Sequence, residues 1–179
     1  MRIITGEYRG RRLKTPYGKD VRPTSDKVKE SIFNLLIPYI NDDFVCVDLF
    51  AGTGNLGLEA ISRGARICYF SDSSRDRLRL VKENVKICGA EERSVLLSGD
   101  FRSNLGRIHD KVDIIFLDPP YKSEFYLSAL DAIKETGILN EGGVVVCEHA
   151  EKDELPDSYN GFTKIKEKRY GSIGVCLYE

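Results

Sequence analysis

The sequence predicts an α/β domain built on a mostly parallel sheet, with an antiparallel hairpin at its C-terminal edge. Five short apolar runs, Phe44 to Leu49, Ile67 to Ser71, Val95 to Leu97, Val112 to Leu117 and Val144 to Cys147, alternate with stretches of helical spacing. That alternation marks strands buried between helices. Ser74 to Ile87 is one of the helical stretches, with Leu78, Val81 and Val85 on one face. Two further runs, Phe162 to Lys166 and Ile173 to Tyr178, have no helix between them and meet across Tyr170-Gly171-Ser172. They are expected to pair as an edge hairpin.

Ahead of the first strand the chain changes character. Ile3 to Leu13 reads as a small hairpin around Gly6 and Gly10, and Pro23 precedes a helix from about Thr24 to Leu36, closed by Pro38. Val28, Ile32, Leu35 and Leu36 fall on one face of that helix, which should therefore pack on the domain. The expected division is a basic hairpin over residues 1–20 and a catalytic domain over residues 21–179. With 179 residues and 41% hydrophobic side chains, the chain can bury one ordinary core and hardly two.

No apolar run reaches the length that crosses a bilayer, and Met1 to Leu13 lacks the apolar centre of a signal peptide. A cytoplasmic protein without a membrane partner is expected, and a monomer. Cys46, Cys68, Cys88, Cys147 and Cys176 form no C-x-x-C pair and sit among Val, Ile and Leu. They read as reduced core residues, not metal ligands, and no metal is expected. The net charge of −1 is unevenly spread. Residues 1–40 carry nine Lys or Arg (Arg2, Arg9, Arg11, Arg12, Lys14, Lys19, Arg22, Lys27, Lys29) against Glu7, Asp20, Asp26 and Glu30, or +5, which leaves −6 for the rest. A basic end on an acidic body suits docking on phosphates, although charge alone favours the reading of a solvated basic hairpin.

The most informative stretch is Val45-Cys-Val-Asp48-Leu-Phe50-Ala-Gly52-Thr-Gly54-Asn-Leu-Gly57. A buried strand ending in an acid, then a glycine-rich turn into a helix, lets a ligand approach the backbone closely. Gly52, Gly54 and Gly57 also match the G-x-G-x-x-G of dinucleotide sites, with Asp72 following Gly52 by 20 residues. A dinucleotide, however, presents a pyrophosphate, which Asp48 at the strand tip would repel. The cationic amino-acid end of S-adenosylmethionine suits that carboxylate better. Asp72, after the second strand, is placed for ribose hydroxyls, and Asp100, after the third, for the adenine amino group. Phe50, Gly52 and Gly54 complete the expected pocket. For each acid the alternative is a turn or helix cap.

The second stretch is Ile114-Ile-Phe-Leu-Asp118-Pro119-Pro120-Tyr121. A buried strand stops abruptly at the carboxyl edge, where α/β sheets bind ligands. The amino group of a nucleic-acid base is a poor nucleophile, because its lone pair is delocalised into the ring. Asp118 and a backbone carbonyl stiffened by Pro119 and Pro120 can accept both N–H groups and aim the lone pair at a methyl donor. Tyr121 can stack on the base.

Asp48 to Ala65, Asp118-Pro-Pro-Tyr121 and the segment Arg22-Pro-Thr-Ser-Asp-Lys-Val-Lys-Glu-Ser-Ile-Phe-Asn34 together resemble the bacterial small-subunit (16S) ribosomal RNA guanine-N2 methyltransferases, the RsmD-like family. The likeness runs from Arg2-Ile-Ile to Tyr178-Glu179. Asp-Pro-Pro-Tyr is shared with many amino-methylating enzymes, whereas the Arg22 to Asn34 segment is family-specific. The resemblance implies a seven-stranded Rossmann-like class I methyltransferase fold and a guanine of 16S ribosomal RNA as substrate, met during or after subunit assembly. It implies too that Arg22, Pro23 and Thr24 line the cofactor pocket and that Arg9, Arg11, Arg12 and Lys14 contact RNA. Ser71-Asp72-Ser73-Ser74 departs from the more acidic stretch expected after the second strand.

Three other functions share part of this pattern. Adenine-N6 or cytosine-N4 DNA methyltransferases and glutamine-N5 protein methyltransferases carry a similar motif, but no DNA target-recognition domain is evident. A non-catalytic RNA-binding relative would be expected to lose Gly54 or Asp118, and both are present. A nicotinamide oxidoreductase lacks support, because no His, Lys or Tyr constellation for hydride chemistry stands out.

Overall fold

The structure is a computed structural model that describes residues 1–16, 26–119 and 124–179. Its strands are β1 (Val45–Asp48), β2 (Ile67–Asp72), β3 (Ser94–Ser98), β4 (Val112–Leu117), β5 (Leu139–Ala150), β6 (Ser158–Tyr159), β7 (Phe162–Tyr170) and β8 (Ile173–Tyr178). Its helices are α1 (Asp26–Leu35), α2 (Asn55–Ser62), α3 (Arg75–Cys88), α4 (Phe101–Leu105) and α5 (Glu124–Thr136). The sheet order is β3-β2-β1-β4-β5-β8-β7-β6. β1 to β5 are parallel, and β8 joins antiparallel to both β5 and β7. These are the seven strands expected, extended at the edge by the two-residue β6.

Period-two alternation divides the core between the two faces of the sheet. Cys46, Ile114, Phe116, Val144, Val146, Val175 and Leu177 face the side that α1, α2, α3 and the N-terminal hairpin cover. Val47, Ile115, Leu117, Val145, Cys147, Cys176 and Tyr178 face α4 and α5. Both faces are buried, which is why these strands read as continuous apolar runs. All five cysteines are buried with free thiols. No described helix is long and apolar enough to cross a membrane.

Two strands run longer than the apolar pattern suggests. β5 begins at Leu139, paired with Val112, and then slips register before Ile114 meets Val144. The slip absorbs the polar, glycine-containing stretch that reads as a turn. β7 continues through Lys168 and Arg169 because backbone pairing with β8 extends to Tyr170 and Ile173 while the side chains stay exposed. Lysines along a nearly unpaired edge also discourage pairing with other chains.

α1 buries Val28, Ile32 and Phe33, with Leu36 just beyond its end, but Leu35 is only half-buried and Lys29 takes a core position instead. The hairpin packs Ile3, Tyr8 and Leu13 into the same core. β1 and β4 are adjacent, but the chain leaves them toward opposite sides: β1 leads to β2, and β4 to β5. Their C-terminal loops therefore diverge, opening the crevice where doubly wound sheets bind ligands.

Candidate active site

The loops after β1, β2, β3 and β4 converge at that crevice. Asp48, Phe50, Gly52, Gly54, Asp72, Asp100, Asp118 and Pro119 all reach this edge of the sheet. Arg22, Pro23, Thr24, Pro120 and Tyr121 lie outside the described residues.

Asp48 ends β1 with 2% of its surface exposed, and its Oδ2 accepts the Gly57 backbone N–H of α2 at 3.1 Å. It thus steadies the first turns of α2. Burial pushes its carboxyl up to about 7; the Gly57 hydrogen bond opposes this, and Asp118 and Asp72 add to it. Asp72 stitches two loops together, accepting from Gly52 N at 3.0 Å through Oδ2 and from Ser74 N at 2.8 Å through Oδ1. Asp100 caps α4, accepting from Arg102 N at 2.9 Å. All three acids organise loops, as the capping alternative anticipated, and Asp100 also lines the open cleft.

The two loop glycines differ in what they face. A Cβ on Gly54, at φ 77°, would meet Val81 and Phe70 side chains at 3.2 and 3.3 Å, so this glycine lets α2 pack against β2 and α3. A Cβ on Gly52, at φ 55°, would meet nothing closer than Phe50 O at 3.8 Å. The open approach to the backbone is therefore at Gly52.

A cleft of about 120 Å³ lies between these loops. Phe50, Phe101 and Phe125 give it aromatic walls, the Phe50 ring centroid lying 5.5 Å from that of Phe101 and 6.1 Å from that of Phe125. Ser71 and Ser73 supply hydroxyls, and Arg77 and Asp100 supply charge. Aromatic walls with hydrogen-bonding groups at the strand ends fit a nucleoside. The residues present thus suit a nucleoside such as the adenosine part of S-adenosylmethionine.

Asp118 follows β4 directly, two residues beyond Phe116, the residue that pairs with β1's Asp48. Its surface is exposed, yet loss of water hydration pushes its carboxyl up to about 6 against the pull of Arg77. Exposure and desolvation point in opposite directions here. A carboxyl with one wet face and protein on the others accounts for both, and water at the wet face screens its interactions. Tyr126 of α5 is buried beside it and donates to Glu148 O at 2.6 Å, pinning the helix that follows the motif to the end of β5.

The four basic hairpin residues have different surroundings. Glu7 N and Tyr8 N bind Ser62 O and Oγ at 2.8 and 2.9 Å, placing the hairpin tip at the far end of α2 from the crevice. Arg11 donates to Ile87 O at 2.9 Å and to Cys88 O, capping α3, and its guanidinium lies 5.0 Å from the Tyr8 ring centroid. Lys14 pairs with Glu83 at 3.0 Å. Arg9 and Arg12 are exposed, and neither takes part in an ion pair among the described residues. Lys29 and Arg2, counted in the basic end, are paired with Glu59 and Asp26.

Arg77, Phe101 and Phe125 do not stand out in the sequence. Arg77 lies within 4.0 Å of Asp72 on the first turn of α3, between Arg75 and Arg79 in a stretch that carries no motif. Phe101 directly follows the cap Asp100, and that adjacency is the available signal. Phe125 lies four residues past Tyr121 and gives none.

A family model described as conserved hypothetical protein 95 matches residues 1–179. A Bacillus subtilis protein bearing the name of an rRNA methyltransferase is 39% identical over 182 residues, covering 100% of this chain and 98% of its own. The ribosomal RNA small subunit methyltransferase D of Haemophilus influenzae is 34% identical, covering 100% of this chain and 93% of its own. A solved structure from Escherichia coli, described as a methyltransferase, superposes with TM-score 0.84 at 31% identity, covering 99% of this chain and 96% of its own.

Proposed function

The chain belongs to the family described as conserved hypothetical protein 95, and from that premise we propose that it transfers a methyl group from S-adenosylmethionine to the exocyclic N2 of a guanine in 16S ribosomal RNA. The observation that carries the chemistry is the position of Asp118 and Pro119 at the end of β4, with Asp118 feeling the charge of Arg77, which lines the cleft with Phe50 and Asp100. The naming of the relatives supports ribosomal RNA as the substrate.

S-adenosylmethionine, when bound, supplies a methyl group on a sulfonium. The chain's own groups do the rest. Asp118, ionised, accepts one N–H of the guanine amino group, and a carbonyl of the Asp118-Pro119-Pro120 turn accepts the other. With both N–H groups so held, the nitrogen lone pair would be aimed at the methyl carbon of the sulfonium, and a C–N bond would form as the C–S bond breaks. The proton released from nitrogen passes to Asp118 or to water. Asp72 holds ribose hydroxyls and Asp48 favours the cationic amino-acid end. Arg22, Pro23 and Thr24 complete the pocket, and Tyr121 stacks on the target base. Arg9 and Arg12 take RNA phosphates, with Arg11 and Lys14 contributing where their internal contacts allow. The reading includes a monomer acting in the cytoplasm on an assembling or assembled small subunit.

Mass spectrometry of ribosomal RNA nucleosides from a deletion strain tests this reading. The expected result is loss of one N2-methylguanosine from 16S RNA; an unchanged nucleoside profile would overturn it.

The hairpin gives a separate prediction. Replacing Arg9 and Arg12 together by alanine should raise the Michaelis constant for the ribosomal substrate. It should also flatten the plot of log affinity against log salt by about 0.7 to 0.9 for each phosphate no longer neutralised, with turnover at saturation little changed. An unchanged slope with a normal Michaelis constant would return the hairpin to a solvated basic face.

A further inference from the structure

Lys29 is fully buried, which is rare for a lysine and costly unless its charge is met. Its three donors are all used. Nζ lies 2.6 Å from Arg2 O, 2.7 Å from Asn55 Oδ1 and 3.0 Å from Glu59 Oε2. These partners join two parts of the chain: Arg2 of the N-terminal hairpin, and Asn55 and Glu59 at the start and middle of α2.

Glu59, also fully buried, is equally committed. Its Oε2 accepts Ile4 N at 2.8 Å as well as Lys29, and its Oε1 accepts Thr5 N at 3.0 Å and Arg63 Nε at 2.9 Å. Apolar side chains of similar volume would fill the space at less desolvation cost. What a satisfied ion network adds is one fixed geometry.

That geometry reaches the glycine-rich loop through Asn55. This residue directly follows Gly54, the left-handed N-cap that closes the Asp48 to Gly54 loop. Lys29 can only donate, so it fixes which end of the Asn55 amide faces it. The other end, Nδ2, is buried with no hydrogen-bond partner among the described residues. A side chain held at the cost of an unmet donor is held by its other contact, and that contact is Lys29.

We infer that Lys29 is a positioning residue for the cofactor loop: through Asn55 it holds the turn from Gly52 to Asn55 in the shape that S-adenosylmethionine binding requires. This rests on the reading above that the cleft takes that cofactor. In this role Lys29 acts through its hydrogen bond to Asn55 and not on the reacting atoms.

Calorimetry with S-adenosylhomocysteine and amide hydrogen exchange of the loop test the inference on the full chain. Lys29→Met should weaken affinity about tenfold, the scale of one charge-assisted hydrogen bond, and speed exchange at Gly52 and Gly54. The Michaelis constant for the cofactor should rise while turnover at saturating cofactor stays within about threefold. Asn55→Leu should reproduce the loss. Asn55→Asp, which keeps an acceptor for Lys29, should retain most of the affinity.

If Lys29→Met fails to fold, Lys29→Met with Glu59→Gln removes both charges together and serves in its place. A folded variant with parental affinity and loop exchange would overturn the inference, leaving the network purely structural. So would lower turnover at an unchanged cofactor Michaelis constant. Failure of the parent chain to bind S-adenosylhomocysteine would instead remove the cofactor reading, and the inference with it.

Discussion

Asp118→Ala is expected to lower turnover about a thousandfold while leaving affinity for S-adenosylhomocysteine within a few fold. The carboxylate acts on the amino group as it becomes tetrahedral, and an interaction made chiefly in the transition state appears in turnover more than in ground-state binding. Only the ionised form can accept the N–H. Because desolvation pushes the group up to about 6, against Arg77, turnover should climb with pH through about 6 and then level off. Arg77→Met removes the opposing cation and should move that midpoint upward. Single-turnover methyl transfer to small subunits from a deletion strain, measured between pH 5 and 8, checks both effects. Near-parental turnover in Asp118→Ala would mean that another group orients the base.

Asp48→Asn should raise stability at pH 8 and lower cofactor affinity. Burial lifts this carboxyl from the ordinary 3.8 to about 7, with the Gly57 N–H pulling the other way. Between those values the folded chain keeps a proton that the unfolded chain has released. The contribution of Asp48 to stability is therefore greatest below about pH 4 and declines as pH rises to about 7. Above that, the folded state carries a buried charge that asparagine lacks, a difference on the order of 4 kcal/mol. Asparagine keeps an acceptor for Gly57 N–H. Urea denaturation of parent and variant at pH 4 and pH 8 should show curves that nearly coincide at the lower pH and separate at the higher. Equal separation at both would show that the carboxyl is not protonated on folding. The accompanying loss of cofactor affinity should be at least tenfold if Asp48 meets the amino-acid end, a cost in binding for a gain in stability.

Periodicity and punctuation made the sheet legible. Buried strands such as Val112 to Leu117 are apolar on both faces, and Gly or Pro ends them, so their order and type follow from local pattern. Asp48, Asp72, Asp100 and Asp118 stand out for the same reason: each ends a strand or begins a turn where local geometry can be read from neighbours. Longer-range consequences could not be read this way. Lys29 looks like one more cation in a basic segment, and only the docking of α1 and the hairpin on α2 buries it against Glu59. Arg11 looks free to meet phosphate until the hairpin brings it to the end of α3.

Gly54 shows the limit most clearly. By its motif it should admit a ligand, yet the fold turns its open side toward Val81 and Phe70 and leaves the open space at Gly52. Residues close together along the chain were enough to specify the strands and helices, the loops that carry acids, and the motif at Asp118. Which charges are spent inside the protein, and which side chains share the cleft, came from the packing of the elements on one another. Both depend on contacts such as Arg2 with Lys29, Glu59 with Ile4, and Phe50 with Phe125. Such contacts join residues distant in sequence, and no local pattern encodes them.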